Sequence, residues 1–224
     1  MKSKKLSFGF YTSHRATRLC RFLASPLRGD TAIGMVLHDG EPSSELQRLC
    51  DKNAIPLICV DYKKLGIDKK QRSSYVSGIL LDELTTRKVD YCFSFGAHLL
   101  VGKLLDIYRN RIINFHPSLL PAFPGIKAVD QAINYGALLI GNTAHFIDEG
   151  VDTGAIIMQS FLTRKEYSGY DSVLDLQLTM LAQIIKWLEE DRVKIKGRTV
   201  QIRDACFARD CFIPNIEFEL TEIK

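Results

Sequence analysis

Short apolar runs alternate with amphipathic segments along the first half of the chain. The runs have the length of strands, and the segments between them repeat apolar positions at helical spacing. The predicted strands cover residues 6–11, 31–38, 55–60, 89–96 and 112–115, and the predicted helices cover 16–27, 44–52 and 69–87. This alternation of strands and helices predicts βαβ units and a doubly wound, mostly parallel sheet of the α/β class.

The second half of the chain adds fewer and longer elements. We predict a helix over 126–135 that stops near Gly136, strands over 138–147 and 155–162, and a helix over 171–190. From Arg192 onwards a weak alternation of apolar and polar residues indicates a small hairpin. We therefore expect a catalytic domain over residues 1–195 and a C-terminal extension over 196–224 that is not an independent domain.

Two polar residues mark the end of the run at 112–115. Asn114 and His116 lie two apart, directly before a proline-rich turn. Residues i and i+2 of a strand point to the same face, so the carboxamide and the imidazole should lie side by side. Asp152 follows in a glycine-flanked loop that can bend towards them. An amide donor, a titratable ring and a carboxylate are groups that polar acyl chemistry uses.

These three residues have defined chemical capabilities. When a carbonyl or formyl group is attacked, its oxygen gains negative charge, which an N–H of Asn114 or a charged His116 would stabilise. Asp152 can hold His116 in its charged form, or relay a proton from an attacking amine. Ser118 lacks a GxSxG elbow, so we expect direct transfer without a covalent enzyme intermediate. Taken singly, each residue also fits an ordinary strand end or turn.

Charge narrows the function classes. The chain is 46% hydrophobic and 25% charged, as in a soluble globular protein, and its net charge of +4 is too small for a general nucleic-acid binder. Residues 1–28 nevertheless hold seven basic and no acidic side chains. They favour either an anionic ligand near the N-terminal region or a solvated basic helix face. The basic residues are Lys2, Lys4, Lys5, Arg15, Arg18, Arg21 and Arg28.

The cysteines and the apolar runs indicate the compartment. Six cysteines include no CxxC pair, and several stand in apolar runs, so we expect them to be reduced and mostly buried in a cytoplasmic protein. No spacing completes a zinc site, and we predict no metal. We also predict no signal peptide and no contact with a membrane, because no apolar run is long enough for either.

Two longer motifs carry a family resemblance. The string Asn114-Phe-His-Pro-Ser-Leu-Leu-Pro121, the pair Pro124-Gly125 and the stretch from His145 to Gln159 resemble the formyltransferase fold family, closest to its glycinamide ribonucleotide formyltransferases. The resemblance covers most of residues 5–195. It implies a Rossmann-like fold and a 10-formyltetrahydrofolate-dependent transfer of a formyl group to an amine, through a tetrahedral intermediate.

The resemblance also implies roles for individual residues. Asn114 and His116 would polarise the formyl oxygen, and Asp152 would assist proton transfer. The pteridine of the donor would lie between two stretches of backbone. Arg72 would face the glutamate tail of the donor, or it is only a solvated charge on its helix. The two stretches comprise His98, Leu99 and Leu100, and Asp148, Glu149, Gly150 and Val151.

The chain departs from these relatives after the first predicted strand. Their glycine-rich loop, whose backbone N–H groups hold the substrate phosphate, is replaced by Ser13, His14, Arg15 and the residues up to Arg18. Without glycine the backbone cannot approach a phosphate as closely, but these side chains can still bind an anion. The family's acidic residue in the last long helix is not matched either, since Gln177 and its neighbours stand there.

Several alternatives remain open at this stage. The acceptor is a small, anionic primary amine, either glycinamide ribonucleotide or, as we favour, a different amine or amino sugar. A 10-formyltetrahydrofolate hydrolase would use water instead, and a non-enzymatic folate-binding protein would use neither. The extension is too short for the tRNA-binding barrel of the methionyl-tRNA enzymes, but it can cover the acceptor site or form a homodimer.

Overall fold

The computed structural model describes residues 5–218, which form two compact units of residues 5–113 and 114–218. Lys2 and Lys4 of the predicted basic segment, and residues 219–224 of the predicted extension, lie outside the described residues. The division into a catalytic domain and an extension at residue 195 stays a prediction.

The N-terminal unit alternates strands and helices as predicted. The elements are β1 (Ser7–Ser13), α1 (Thr17–Ala24), β2 (Ala32–Asp39), α2 (Ser44–Lys52), β3 (Leu57–Val60), α3 (Arg72–Thr86), β4 (Tyr91–Phe95) and α4 (Lys103–Ile107). The strands pair in parallel in the order β4-β1-β2-β3. A 3-10 turn over Pro26–Arg28 follows α1, and another over Lys69–Gln71 precedes α3.

Local chemistry explains where these helices begin and end. The hydroxyl of Ser43 accepts a hydrogen bond from the Leu46 N–H at 3.2 Å, so α2 begins at Ser44 as predicted. The predicted helix over 16–27 is wrong at its C-terminal end. Helix α1 ends at Ala24 because Ser25, directly before Pro26, is extended, with φ −87° and ψ 147°.

Aromatic residues of β1 and β4 form the centre of the N-terminal core. The rings of Phe8 and Phe10 stack on Phe93 of the neighbouring strand, with centroids 5.9 and 5.4 Å apart. All three side chains are fully buried. Aromatic pairs across neighbouring strands stabilise a sheet, so these contacts fix β1 against β4.

The C-terminal unit combines sheet strands and helices with a separate hairpin. The elements are β5 (Ile112–His116, which starts in the N-terminal unit), α5 (Ala128–Tyr135), β6 (Leu139–Phe146), β7 (Ile156–Thr163), α6 (Tyr170–Glu189), β8 (Val193–Lys196), β9 (Thr199–Ile202) and β10 (Phe212–Ile213). The strand order is β10-β7-β6-β5, and β7 is antiparallel to both β6 and β10. Strands β8 and β9 pair with each other in a separate two-stranded sheet.

Helix α6 is fastened to β6 by buried amides as well as by apolar packing. The Gln177 amide donates to Asn142 Oδ1 at 2.6 Å, and the Asn142 amide donates to the Val173 carbonyl at 3.1 Å. Gln177 and Asn142 are both fully buried. Gln177, which stands near the position of the family's acidic residue, therefore joins the helix to the sheet.

The chain after β9 is attached to α6 by Glu217. Its carboxylate accepts two hydrogen bonds from the Arg192 guanidinium, at 2.8 and 2.7 Å, and one from Trp187 Nε1 at 3.0 Å. The hydrogen bond with Arg192 is the main reason that the pKa of Glu217 falls to about 2. This bidentate pair holds the end of the described chain against the last helix.

The predicted fold class, an α/β protein with a mostly parallel sheet, is confirmed. The helix stop at Gly136, with φ 80°, and the hairpin after Arg192 are confirmed too. The short helix α4 was not predicted, since its five residues are too few to establish a periodicity. No helix among residues 5–218 is long and apolar enough to span a bilayer.

Candidate active site

Asn114 and His116 lie at the end of β5, where the strand leaves the core. Ile113 and Phe115 are 0% and 3% exposed, and their burial fixes the strand in the sheet. Asn114 is half-buried, and His116 is buried at 5% exposure. The predicted i and i+2 arrangement on one strand is therefore present, with the carboxamide nearer to solvent.

Asp152 is presented by the loop of residues 147–155 between β6 and β7, which bends into a turn over residues 148–153. The Asp148 carboxylate organises the turn, because it accepts hydrogen bonds from the Gly150 N–H at 3.1 Å and from the Thr153 hydroxyl at 2.7 Å. Asp152 has φ 55°, in the left-handed region that Asp tolerates better than most residues. Gly154 follows against β6, where an added Cβ would lie 1.7 Å from the Phe146 carbonyl oxygen. The turn can therefore close only with glycine at position 154.

The carboxylate of Asp152 joins the turn to the end of β5. Its Oδ2 lies 3.3 Å from His116 Nδ1 and accepts a hydrogen bond from the Gly125 N–H at 2.8 Å. Its Oδ1 lies 3.6 Å from His145 Nε2. The Asn114 amide nitrogen is 3.3 Å from the same His145 nitrogen. The structure thus brings the three predicted residues together and adds His145 to them.

The surroundings of Asp152 favour its charged form. The pKa of Asp152 is lowered from its ordinary value of 3.8, first by a hydrogen bond with His145, then by the Gly125 N–H and the charges of both histidines. Partial burial opposes this shift but is outweighed. A carboxylate in this position can accept a proton, so Asp152 has the charge state that a proton acceptor needs.

His145 can be satisfied in two ways, which differ in the direction of one hydrogen bond. Its Nδ1 lies 2.9 Å from the Phe146 carbonyl and donates to it. In the neutral ring, Nε2 then accepts from the Asn114 amide; in the charged ring, Nε2 donates to Asp152 and the Asn114 amide must turn. Nε2 lies 3.3 Å from the Asn114 amide nitrogen and 3.6 Å from Asp152 Oδ1, and the second arrangement is the one in which a hydrogen bond from His145 lowers the pKa of Asp152.

His116 is held at both ring nitrogens. Nε2 donates to the Phe123 carbonyl at 2.8 Å, and Nδ1 faces the Asp152 carboxylate at 3.3 Å. Only the doubly protonated ring can donate to both acceptors. Both ring nitrogens thus face acceptors of the chain itself, and the role of His116 towards a substrate oxygen stays a prediction. Asn114 retains an amide N–H that neither His145 nor Asp152 engages.

No role was predicted from the sequence for His145 or Gly125. Both stand inside the motifs that carried the resemblance: His145 lies near the end of β6, and Gly125 follows Pro124. The position of His145 at a strand end was an available signal, as it was for His116. The contact of Gly125 with Asp152 was not predictable, because a backbone N–H leaves no trace in a residue pattern.

The remaining residues of the predicted donor loop differ in exposure. Asp148 is engaged within the turn, whereas Glu149, Gly150 and Val151 face solvent, and Val151 is 52% exposed. The other half of the predicted donor site, His98, Leu99 and Leu100, belongs to the N-terminal unit. Leu99 is 60% exposed there, but Leu100 is buried at 5% and its side chain packs in the core.

His98 and Arg72 belong to a polar cluster that the sequence analysis did not predict. The Tyr11 hydroxyl donates to Asp39 Oδ2 at 2.6 Å, and His98 Nε2 lies 3.6 Å from the same oxygen. The Tyr62 ring packs edge-on against the His98 ring, with centroids 5.3 Å apart. The Arg72 guanidinium lies 4.8 Å from the centroid of the Tyr62 ring. The interpretation of Arg72 as merely a solvated charge is thus too simple.

The residues between β1 and α1, within the stretch from Ser13 to Arg18, adopt left-handed backbone without glycine. His14 and Ala16 have φ of 56° and 50°. The Ser13 hydroxyl accepts a hydrogen bond from the Ala97 N–H at 2.7 Å, which leaves its side chain engaged within the protein. His14 and Arg15 are exposed, and the Arg18 guanidinium lies 4.4 Å above the Phe95 ring. Within residues 5–218 no group of His, Cys, Asp or Glu is arranged to hold a metal ion.

Comparison with known proteins extends these observations. The family model described as formyl transferase matches residues 31–167. The chain is 42% identical over 95 residues to the phosphoribosylglycinamide formyltransferase of Bacillus subtilis, a match that covers 42% of this chain and 49% of that protein. It is 38% identical over 98 residues to the formyltetrahydrofolate deformylase of Haemophilus influenzae, covering 42% of this chain and 35% of that protein.

A solved structure matches over a larger part of the chain. It is glycinamide ribonucleotide transformylase 1 from Symbiobacterium toebii, with a TM-score of 0.79 and 26% identity over 91% of this chain and 100% of that one. By contrast, the chain spans about half of the length of the Bacillus subtilis relative and about a third of the Haemophilus influenzae relative.

Proposed function

The chain belongs to the formyl transferase family, and we propose that it transfers a formyl group from 10-formyltetrahydrofolate to a primary amine. One observation carries the proposal: the Asp152 carboxylate lies between His116 and His145, with the Asn114 carboxamide beside them. This is the donor and acceptor set that attack on a formyl carbon requires.

Asp152 is the proton acceptor in the proposed reaction. An amine that attacks a formyl carbon becomes positively charged and must lose a proton before the product is released. The lowered pKa of Asp152, caused first by its hydrogen bond with His145, keeps the carboxylate charged at neutral pH. It can therefore attract the developing ammonium and accept its proton, directly or through a water molecule.

Asn114 and His116 have different parts in this proposal. The spare N–H of Asn114 donates to the formyl oxygen as that oxygen gains charge. His116 supplies positive charge close by, while its bonds to Asp152 and to the Phe123 carbonyl hold both groups in position. His116 Nε2 could donate a hydrogen bond directly to the substrate only after its bond to the Phe123 carbonyl is broken.

The turn from Asp148 to Val151 fits a flat donor such as a pteridine. Its exposed backbone offers hydrogen-bonding groups, and the exposed Val151 side chain offers an apolar surface. When bound, the donor supplies the formyl group. We retain His98, Leu99 and Arg72 as predicted donor-binding residues, whereas the buried side chain of Leu100 leaves only its backbone for that role.

The acceptor is a small primary amine with an anionic group. The relatives named for phosphoribosylglycinamide support that compound as one candidate. The glycine-free loop with the exposed His14 and Arg15 favours a different acceptor, because its backbone cannot cradle a phosphate in the manner of a glycine-rich loop. The free cysteines suit a reducing compartment, so we place the reaction in the cytoplasm.

Hydrolysis of the same donor is the second candidate function. It is supported by the similarity to a formyltetrahydrofolate deformylase and by the absence of the glycine-rich loop. Water would then replace the amine, and Asp152 would take its proton. The group formed by Asn114, His116, His145 and Asp152 is compatible with attack by either an amine or water. The choice between transferase and hydrolase therefore depends on which of the two accepts the formyl group.

Incubation with 10-formyltetrahydrofolate and a panel of amines distinguishes these functions. Release of tetrahydrofolate only in the presence of one amine supports the transferase and identifies its acceptor. Release without any amine supports the hydrolase. Folate binding without release of tetrahydrofolate, or no folate binding at all, contradicts both functions. If Asp152→Asn and His116→Ala each release tetrahydrofolate at the wild-type rate, the proposed site is wrong.

A further inference from the structure

A cavity of about 450 Å³ opens beside the candidate active site, entirely within the C-terminal unit. Asp152 forms part of its wall, so the cavity adjoins the residue that we propose as the proton acceptor. The rest of the wall comes from the residues after Asp152, from the start of β7, from the proline-containing segment after β5 and from the β8–β9 hairpin. The side chains that matter for the proposal are Asp152, Arg198 and the apolar residues Leu120, Pro121, Ile156 and Val200.

The hairpin places one cation at this wall. Lys196 and Thr199 pair across the hairpin, which leaves Gly197 and Arg198 as its two-residue turn. Gly197 has φ 61°, as the first central position of such a turn favours. This turn directs Arg198 to the loop that carries Asp152, where its Nη2 donates to the Thr153 carbonyl at 3.1 Å.

Arg198 retains donors for a ligand. One hydrogen bond to Thr153 uses only part of a guanidinium that has five N–H groups. Within the described part of the chain, no carboxylate pairs with Arg198. The other lining side chains are mostly apolar, and Asp152 carries the opposite charge. The wall of the cavity therefore combines a cation, apolar side chains and a carboxylate.

We propose that this cavity binds the amine acceptor, and that Arg198 binds a carboxylate or phosphate of that acceptor while its amino group faces Asp152. The inference rests on the proposed function, and it assigns a substrate-binding role to the β8–β9 hairpin. A planar fork of donors suits carboxylate and phosphate oxygens, and the opposite charges of Arg198 and Asp152 would orient a molecule that carries both an anionic group and an amine. An amine without an anionic group lacks the contact with Arg198.

Binding to the full chain in the absence of folate tests this inference separately from catalysis. Calorimetric titration would compare para-aminomethylbenzoate with its neutral amide, and phosphoethanolamine with ethanolamine. These pairs distinguish a carboxylate from a phosphate site. We expect at least one acidic probe to bind about tenfold more tightly than its neutral partner, with a preference that declines at high salt.

Variants of the same hairpin make the test specific. Arg198→Ala should abolish the preference, Arg198→Lys should retain part of it, and Lys196→Ala should leave it unchanged because Lys196 does not line the cavity. Thermal unfolding of each variant checks that the hairpin is intact. Equal binding of acidic and neutral probes, no binding of any probe, or a preference that survives Arg198→Ala overturns the inference. If the surviving preference is lost in Arg15→Ala, the anion binds near Arg15 instead. Formyl transfer by the wild-type chain would still support the proposed function.

Discussion

Asp152 Oδ2 and His116 Nδ1 lie 3.3 Å apart, and this contact connects the turn after β6 with the end of β5. Gly125 adds a backbone N–H to the same oxygen at 2.8 Å. Because the carboxylate is shared between a ring and a backbone group, its position is fixed before a substrate arrives. Preorganised charge of this kind is effective in catalysis, since little reorganisation is needed during the reaction.

Replacing Asp152 by Asn tests the proton acceptor. The carboxamide keeps a similar shape and can still accept from Gly125, but it cannot take a proton from the amine. We expect the rate of formyl transfer to fall by about 100-fold or more, with donor binding largely retained. Rates of tetrahydrofolate release, together with calorimetric binding of the donor, measure the two effects.

A matched substitution tests whether that loss is specific. Asp130 is an exposed carboxylate on α5, and Asp130→Asn removes the same charge away from the cluster. Its transfer rate should remain within about twofold of the wild-type rate, as for a neutral surface change. If the two variants lose activity equally, general charge and not the position of Asp152 explains the effect.

The lowered pKa of Asp152, due first to its hydrogen bond with His145, predicts a pH dependence. A depressed carboxyl pKa means that the charged form and its contribution to stability persist above the ordinary value of 3.8 and are lost only as the pH falls through the lower folded value. Activity lost on acidification above about pH 5 should therefore follow protonation of the amine substrate. Rate profiles with amines of different pKa check this, and an acid limb near neutrality common to all of them would contradict it.

The sequence predicted the strand and helix order because burial leaves a periodic signal along the chain. It also placed Asn114 and His116 at the end of β5, since polar residues that follow a buried apolar run indicate that a strand leaves the core there. The contribution of α4 was missed, because five residues give no helical period. Predicted helix ends failed where a local proline overrode the apolar pattern, as at Pro26.

The contacts of the site were only partly predictable, because most of them are long-range. The bond between the Gly125 N–H and Asp152 joins residues that share no periodicity. The attachment of His116 Nε2 to the Phe123 carbonyl depends on how the proline-containing segment folds back. Arg198 was missed for the same reason, since the cavity beside it exists only once the hairpin is packed.

Gly154 should be sensitive to the smallest possible change. A Cβ there would lie 1.7 Å from the Phe146 carbonyl oxygen, so Gly154→Ala must displace the turn that carries Asp152. We expect a loss of at least about 2 kcal/mol in the free energy of unfolding, together with reduced transfer. Denaturant titration and the release assay measure the two losses.

Gly78 provides the control for that substitution. It is exposed in the middle of α3, and an added Cβ would meet nothing within 4 Å. Gly78→Ala should therefore stabilise the protein by about 0.5–1 kcal/mol, because alanine restricts the unfolded chain and favours a helix. A lower free energy of unfolding for Gly78→Ala, or an unchanged one for Gly154→Ala, would contradict the packing described for that position.

Glu217→Gln tests how the end of the described chain is held. Hydrogen bonding with Arg192, followed by Trp187 and Lys186, lowers the pKa of Glu217 from 4.5 to about 2. Because the folded pKa is depressed, the stabilisation is fully present above 4.5 and is lost as the pH falls towards about 2. The variant should therefore melt at a lower temperature than the wild type at neutral pH, and the difference in melting temperature should shrink across that acidic range.

Glu41→Gln, at an exposed position, provides the control and should show no such pH-dependent difference. A difference for Glu217→Gln that is absent at neutral pH, or that stays constant on acidification, would show that the pair with Arg192 does not stabilise the fold.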